Sequence, residues 1–337
     1  MKEKVLNDTI DFHSGRTRQW RARSYAPHLV AMRNVFVNSW GFIYNYETLY
    51  NHGGCTNRAL YHPPWHYNMS STKVHVYDQP ILSLVHPYSP LFFHEFVEVH
   101  AAFIMALRII QAMPNIPILL NKALRYPQLF PLLEIFGINP AQLNLQPLGE
   151  PYKTSGLTFV AYAPYVITSI SHWCEYISGG VINTMRDGYS KLPFWGNEGN
   201  GILVYDRYNI RPKRFITQGP DIYNRLYTRY NRKYPVRMYF GNETLEETIR
   251  LFRQSKILIG AHGAGLSNIL FMPENSMMIE LRPNEWPNRC FIDMANYIGI
   301  KHYLYNVETK LRGYEMSINL QEFMDKVTPM IDAFYGL

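Results

Sequence analysis

Residues 256–281 constrain the fold more than any other stretch. Lys256-Ile257-Leu258-Ile259-Gly260-Ala261 is an apolar run that passes into His262-Gly263-Ala264-Gly265-Leu266-Ser267-Asn268; Ile269-Leu270-Phe271-Met272-Pro273 then stops at a proline, and Ser276-Met277-Met278-Ile279-Glu280-Leu281 is a second apolar run. Two such runs joined by a short apolar helix predict buried parallel strands in a βαβ unit. Gly263 and Gly265 lack a Cβ, so the backbone can turn sharply there and come close to a ligand. The helix that follows points unpaired amides and a partial positive charge back toward the strand end. Such a turn suits an anion, most often a phosphate, to which His262 can also donate. Glu280 ends the neighbouring strand, at the edge where open α/β sheets bind ligands, and is placed to accept from a ribose hydroxyl. From the residues alone, a plain tight turn with a capped loop histidine explains the same pattern. Asn268 stands where a dinucleotide fingerprint needs its third glycine, which excludes the NAD-type turn.

A second chemistry-bearing stretch opens with the proline-rich Pro87-Tyr88-Ser89-Pro90 and continues as His94-Glu95-Phe96-Val97-Glu98-Val99-His100 into a strong helix former that reaches Ile110. His94 and Glu98 are four apart and share one helix face. They read as a base with its orienting carboxylate, as a carboxylate base in its own right, or as a helix start that favours an acid in its first turn. Asp78, at the end of the strand-like Lys73–Tyr77, is a third candidate base.

The run Gly260–Asn268, with Leu270-Phe271-Met272-Pro273 and Ile279-Glu280-Leu281, resembles the C-terminal signature of family 61 glycosyltransferases. Phe93-His94 followed by Glu98 resembles a second signature of that family, about 165 residues before the glycine turn. The resemblance implies an α/β protein with two Rossmann-like domains facing a central cleft (GT-B type). It implies an inverting transfer of a sugar from a UDP-sugar donor to a hydroxyl of a glycan or glycoprotein acceptor, with xylose favoured and N-acetylglucosamine second. The donor phosphates would lie against His262, Gly263, Ala264, Gly265, Leu266 and Ser267. Arg211 and Arg214 would be the cations of a strand-end segment, with Glu280 beside them, and Glu98, His94 or Asp78 would be the base. No Asp-x-Asp occurs in the chain, so protein groups rather than a metal are expected to neutralise the diphosphate, and no cofactor is expected.

Composition places limits on the alternatives. The chain has 337 residues, 47% hydrophobic and 18% charged, which describes a folded protein of one large or two ordinary domains. A net charge of +7 favours an acidic partner. Residues 207–237 hold nine Lys or Arg against one acid, Asp221, so a nucleic-acid binder is a rival reading and a sugar-binding relative without activity another; the transferase reading expects no nucleic acid. Three scattered cysteines suggest no disulfide framework. The N-terminus lacks the apolar core of a signal peptide and Phe96–Ile110 is interrupted by charge, so no membrane span and a cytoplasmic location are expected. His52, Cys55, His62 and His66 have ligand chemistry but a spacing shorter than finger-type zinc sites, and read as a loop.

Alternating strand and helix patterns predict an acceptor-binding α/β domain over residues 1–195 and a nucleotide-sugar-binding domain over 196–315. A terminal helix over 316–337 is expected to pack back on the first domain. The Gly-, Asn- and Ser-rich stretch 169–201 reads as the linker.

Overall fold

The computed structural model describes residues 28–45, 49–50, 73–86, 88, 91–149, 159–170, 172–173, 176–207, 215–283, 288–307 and 315–337. Arg211, Arg214 and the His52–His66 loop lie outside the described residues. The chain forms two compact units, residues 1–185 and 186–337.

The first unit is built on a mixed sheet. Its strands are β1 (His28–Asn38), β2 (Ile43–Tyr44), β3 (Leu49–Tyr50), β4 (Lys73–Val76), β5 (Ile81–Ser83), β6 (Ile118–Leu120), β7 (Leu145–Pro147) and β8 (Phe159–Ile170). They lie in the order β3-β2-β1-β8-β5-β6-β7, with β4 also beside β8. The β5, β6, β7 and β8 pairings are parallel, as a Rossmann-like reading requires, but β1 runs antiparallel to β8 along nearly its whole length and β2 and β3 continue that sense. The first unit is therefore α/β without being a purely parallel Rossmann sheet. Sequence pattern misses this because Pro164 reads as a strand breaker. In the structure Pro164 falls opposite Asn34, where the ladder pairing is interrupted and Asn34 takes φ +52°. A residue with no N–H is tolerated there at no loss of a ladder bond.

The expected helix after His94 begins as a wide π-turn, His94–Val99, before α1 (His100–Met105) and α2 (Leu107–Ala112), and the short α3 (Pro131–Glu134) follows β6. Phe103, Ala106 and Ile110 pack on Leu82, Ile118 and Leu120. The stretch read as a linker contains the end of β8 and α4 (Gly179–Tyr189), and the unit boundary falls inside that helix. Val181, Ile182, Met185 and Tyr189 form a buried stripe at helical spacing, which the Gly and Asn content around them conceals.

The second unit is a doubly wound α/β sheet. Its strands β9 (Gly201–Tyr205), β10 (Val236–Tyr239), β11 (Ser255–Ala261), β12 (Met277–Pro283) and β13 (Lys301–Val307) are all parallel, in the order β10-β9-β11-β12-β13. The helices are α5 (Gly219–Tyr230), α6 (Leu245–Arg253), α7 (Cys290–Ile298) and α8 (Leu320–Tyr335); the glycine turn leads into a 3-10 helix, Ala264–Phe271. The chain leaves β9 for the outer strand β10 and returns on the other side as β11, so connections part in opposite directions between β9 and β11. In open parallel sheets that parting leaves a crevice at the strand C-termini, where ligands bind.

The terminal helix α8 was expected on the first domain, but it belongs to the second unit's own core. Phe323, Met324, Val327 and Ile331 pack with Ile202, Ile257 and Ile222, and Arg229 and Tyr230 of α5 bond Asp332. The apolar stripe of an amphipathic helix is legible in sequence, but the stripe does not name the sheet that it covers. Helix α6 starts with a full capping box: Thr244 accepts from the Glu247 amide, and the Glu247 carboxylate accepts from the Thr244 amide. Replacing Thr244 by Ala should lower stability by about 1 kcal/mol in urea unfolding, with Thr244→Ser close to neutral.

Candidate active site

Two clusters, one in each unit, carry the chemistry. In the second unit the crevice between β9 and β11 is bordered by Asp206-Arg207 and by His262-Gly263, the residues that follow each strand. The glycines answer first to the protein's own side chains. A Cβ on Gly263 would lie 1.9 Å from Arg207 Nη1, and one on Gly265 would lie 2.4 Å from Cζ and Oη of Tyr205. Gly263 itself is extended, at φ 167°. Its missing Cβ makes room for a guanidinium, and that of Gly265 makes room for a phenol ring. Arg207 thereby lies over the turn and donates to the His262 carbonyl at 3.4 Å. Sequence reading chose Arg211 and Arg214 instead; the signal for Arg207 was its place two residues after a strand that ends beside the turn.

The turn residues separate by burial. Leu266 is core and Ser267 donates its hydroxyl to the Ala264 carbonyl at 2.5 Å, so these two side chains serve the turn itself. Ala264 and Gly265 remain partly exposed. The first bond of the 3-10 helix is Leu266 N–H to Gly263 O, so the amides of Ala264 and Gly265 are the two the helix does not itself satisfy. Asn268 donates to the Gly265 carbonyl at 3.0 Å and to the Tyr239 hydroxyl at 2.8 Å, and the Tyr239 ring lies tilted against Tyr205 with centroids 5.3 Å apart. At the far end, Arg186 donates to the carbonyls of Leu270 and Met272, at 2.7 and 2.9 Å.

His262 is 2% exposed, and its Nδ1 bonds Glu280 Oε1. The other oxygen of Glu280 is bonded by Nε2 of His302, on β13, at 2.6 Å. Glu280 is 1% exposed and sits between the two imidazoles. Burial pushes this carboxyl upward, but the two imidazole hydrogen bonds outweigh burial and hold it at about 2. Sequence reading missed His302 because a lone polar residue in an edge strand carries no local signal.

In the first unit, Glu98 is fully buried, and one of its oxygens, Oε2, meets both His94 Nδ1 and His86 Nε2, the latter at 2.9 Å. The expected His94–Glu98 pair is present, with His86 as a third member. The His86 ring stacks on His94 with centroids 5.0 Å apart, and Tyr88 lies 5.1 Å from His94 on centroids. His94 is the most exposed of the three, at 13% for its side chain. Next along the π-turn, Glu95 points elsewhere and accepts from the amides of Arg125 and Tyr126, at 2.8 and 2.9 Å; burial raises its pKa against those bonds. His100 is wholly buried, and desolvation lowers it to about 3, so it is neutral and outside any acid–base role at ordinary pH. Asp78 is exposed in the bend between β4 and β5 and is not part of the cluster. The ligand atoms of His86, His94 and Glu98 lie within 4.8 Å of one another, close enough to hold a divalent ion as well as a proton.

The family model described as Glycosyltransferase 61 matches residues 92–279, a span that takes in His94, Glu98 and the glycine turn. The chain belongs to the glycosyltransferase 61 family. Among curated relatives, it is similar to an EGF domain-specific O-linked N-acetylglucosamine transferase of Gallus gallus, 43% identical over 58 residues, which is 17% of this chain and 10% of that one. The corresponding protein of Drosophila melanogaster is 37% identical over 73 residues, 21% and 14% of the two chains, and that of Bos taurus 32% over 65 residues, 19% and 12%. The similarity thus spans between a tenth and a seventh of these relatives' length. No helix among the described residues is long and apolar enough to cross a membrane.

Gly265→Ala should cost about 1–3 kcal/mol through the clash with Tyr205, and the double variant with Tyr205→Ala should lose less than the two single changes added together. Because Glu280 is depressed below its ordinary value of 4.5, its contribution to stability is complete above that value and is lost as pH falls toward about 2. Thermal unfolding of the wild type should therefore show an acid limb in that window, and Glu280→Gln should flatten it.

Proposed function

We propose that the chain is an inverting glycosyltransferase of GT-B type that moves a sugar from a UDP-sugar to a hydroxyl of a glycan or glycoprotein acceptor. The observation that carries this reading is the turn after β11, where two partly exposed residues whose amides the 3-10 helix does not satisfy, Ala264 and Gly265, meet the Arg207 guanidinium. Amides at a helix start and a neighbouring cation are the donors that a departing diphosphate requires. Each well-placed donor of that kind is worth about 3–4 kcal/mol of transition-state stabilisation.

In this reading His94 is the base. Its Nδ1–H is committed to the buried Glu98 carboxylate, which holds the ring in one tautomer and stabilises the imidazolium, and Nε2 takes the acceptor hydroxyl's proton as the bond to the anomeric carbon forms. His86, bonded to the same oxygen, keeps Glu98 in place. Glu98 is then the orienter rather than the base, and exposed Asp78 has no part. The named activity of the relatives moves N-acetylglucosamine ahead of xylose as the donor sugar.

The test is transfer from UDP-N-acetylglucosamine and UDP-xylose to glycoprotein acceptors, with and without EDTA. His94→Ala should cut turnover about 10²–10⁴-fold while UDP binding persists. Near-normal rates in both His94→Ala and Glu98→Gln would remove the base from this cluster. Retained activity in EDTA is expected; loss of activity restored by a divalent ion would turn the His86–His94–Glu98 group into a metal site.

A further inference from the structure

We propose that His302 is a positioning residue for the anion-binding turn, acting through Glu280 on His262. The proposal rests on the reading that a nucleotide diphosphate binds at that turn. The three side chains form a continuous buried chain across three neighbouring strands: His302 Nε2 to Glu280 Oε2 at 2.6 Å, and Glu280 Oε1 to His262 Nδ1. In the β12–β13 register, Met278 is opposite His302 and Glu280 opposite Leu304, so His302 lies on the face that Glu280 occupies, one step earlier along the strand.

A carboxylate held by one imidazole can rotate about its last torsion; held through separate oxygens by two, its plane is set. That plane decides where the Nδ1–H of His262 must point, and therefore which tautomer His262 keeps. Any further hydrogen bond from the ring is then made through Nε2. His262 is also the residue before Gly263. Its amide donates to the Leu281 carbonyl at 2.8 Å, its carbonyl accepts from Arg207, and the edge of Phe291 packs on its ring with centroids 5.2 Å apart. A change in the orientation of His262 therefore reaches both the turn and the arginine laid over it. Removing the His302 donor leaves a buried carboxylate oxygen unpaired, and Glu280 recovers its bonding only by moving.

A residue that merely fills space at position 302 can be replaced by Leu; a donor to Glu280 can be replaced only by another donor, such as Gln. We expect His302→Leu to weaken UDP binding, measured by titration calorimetry, roughly tenfold, the effect of one charge-assisted hydrogen bond. The Michaelis constant for the sugar donor should rise with little change in turnover at saturation, and His302→Gln should recover most of the affinity. In ¹⁵N-histidine NMR spectra, His262 of the wild type should show the Nδ1–H tautomer and should lose that single signature in His302→Leu. Unchanged UDP affinity and unchanged His262 signals in His302→Leu would overturn the proposal. So would an Nε2–H tautomer in the wild type, an outcome open to measurement even if His302→Leu fails to fold. A wild-type protein that does not bind UDP would refute the donor-site reading instead, leaving the tautomer measurement to judge the relay.

Discussion

A negative charge lies in the interior of the second unit's sheet, and the site depends on how it is held. Glu280 is on β12, between β11 and the edge strand β13, and is 1% exposed, so that an unpaired carboxylate there would cost several kcal/mol. Two imidazoles remove that cost, and in doing so they tie the loop after β11 to the edge strand β13. The glycine turn is thus anchored through a side-chain network as well as through the backbone. Arg186 at the end of the 3-10 helix and Asn268 within it complete the anchoring.

The first unit repeats the device with a different outcome. Glu98 is also fully buried and also meets two imidazoles, but through one shared oxygen, and one of those rings, His94, reaches the surface. The second unit's relay is enclosed and adjoins the glycine turn; the first unit's has one ring partly exposed to solvent. The π-turn that carries His94 and Glu98 is a wider helical turn, a distortion found often at functional sites.

Much of the second unit was legible from local pattern. Its first four strands, helices α5, α6 and α8, the capping box at Thr244 and the turn at Gly263 follow from periodicity, capping chemistry and glycine placement, all of which act within a few residues, whereas α7 and β13 were not read. The first unit was less legible, since Pro164 stops a strand in any local reading, and in the structure it falls where the ladder pairing with Asn34, 130 positions earlier in the chain, is interrupted. The π-turn likewise looks like ordinary helix in sequence.

By itself the sequence determined that a βαβ unit with a glycine-rich turn exists, that His94 and Glu98 share a helix face, and, through both signatures, the family. Tertiary structure decided what each group is for. It gave the Gly263 space to Arg207 and the Gly265 space to Tyr205, set Glu280 between two imidazoles, and brought His86 to Glu98 and His302 to Glu280. Residue type and spacing record what a segment can form, whereas the partner of a buried charge is chosen by strand order and register, which join residues far apart in the chain.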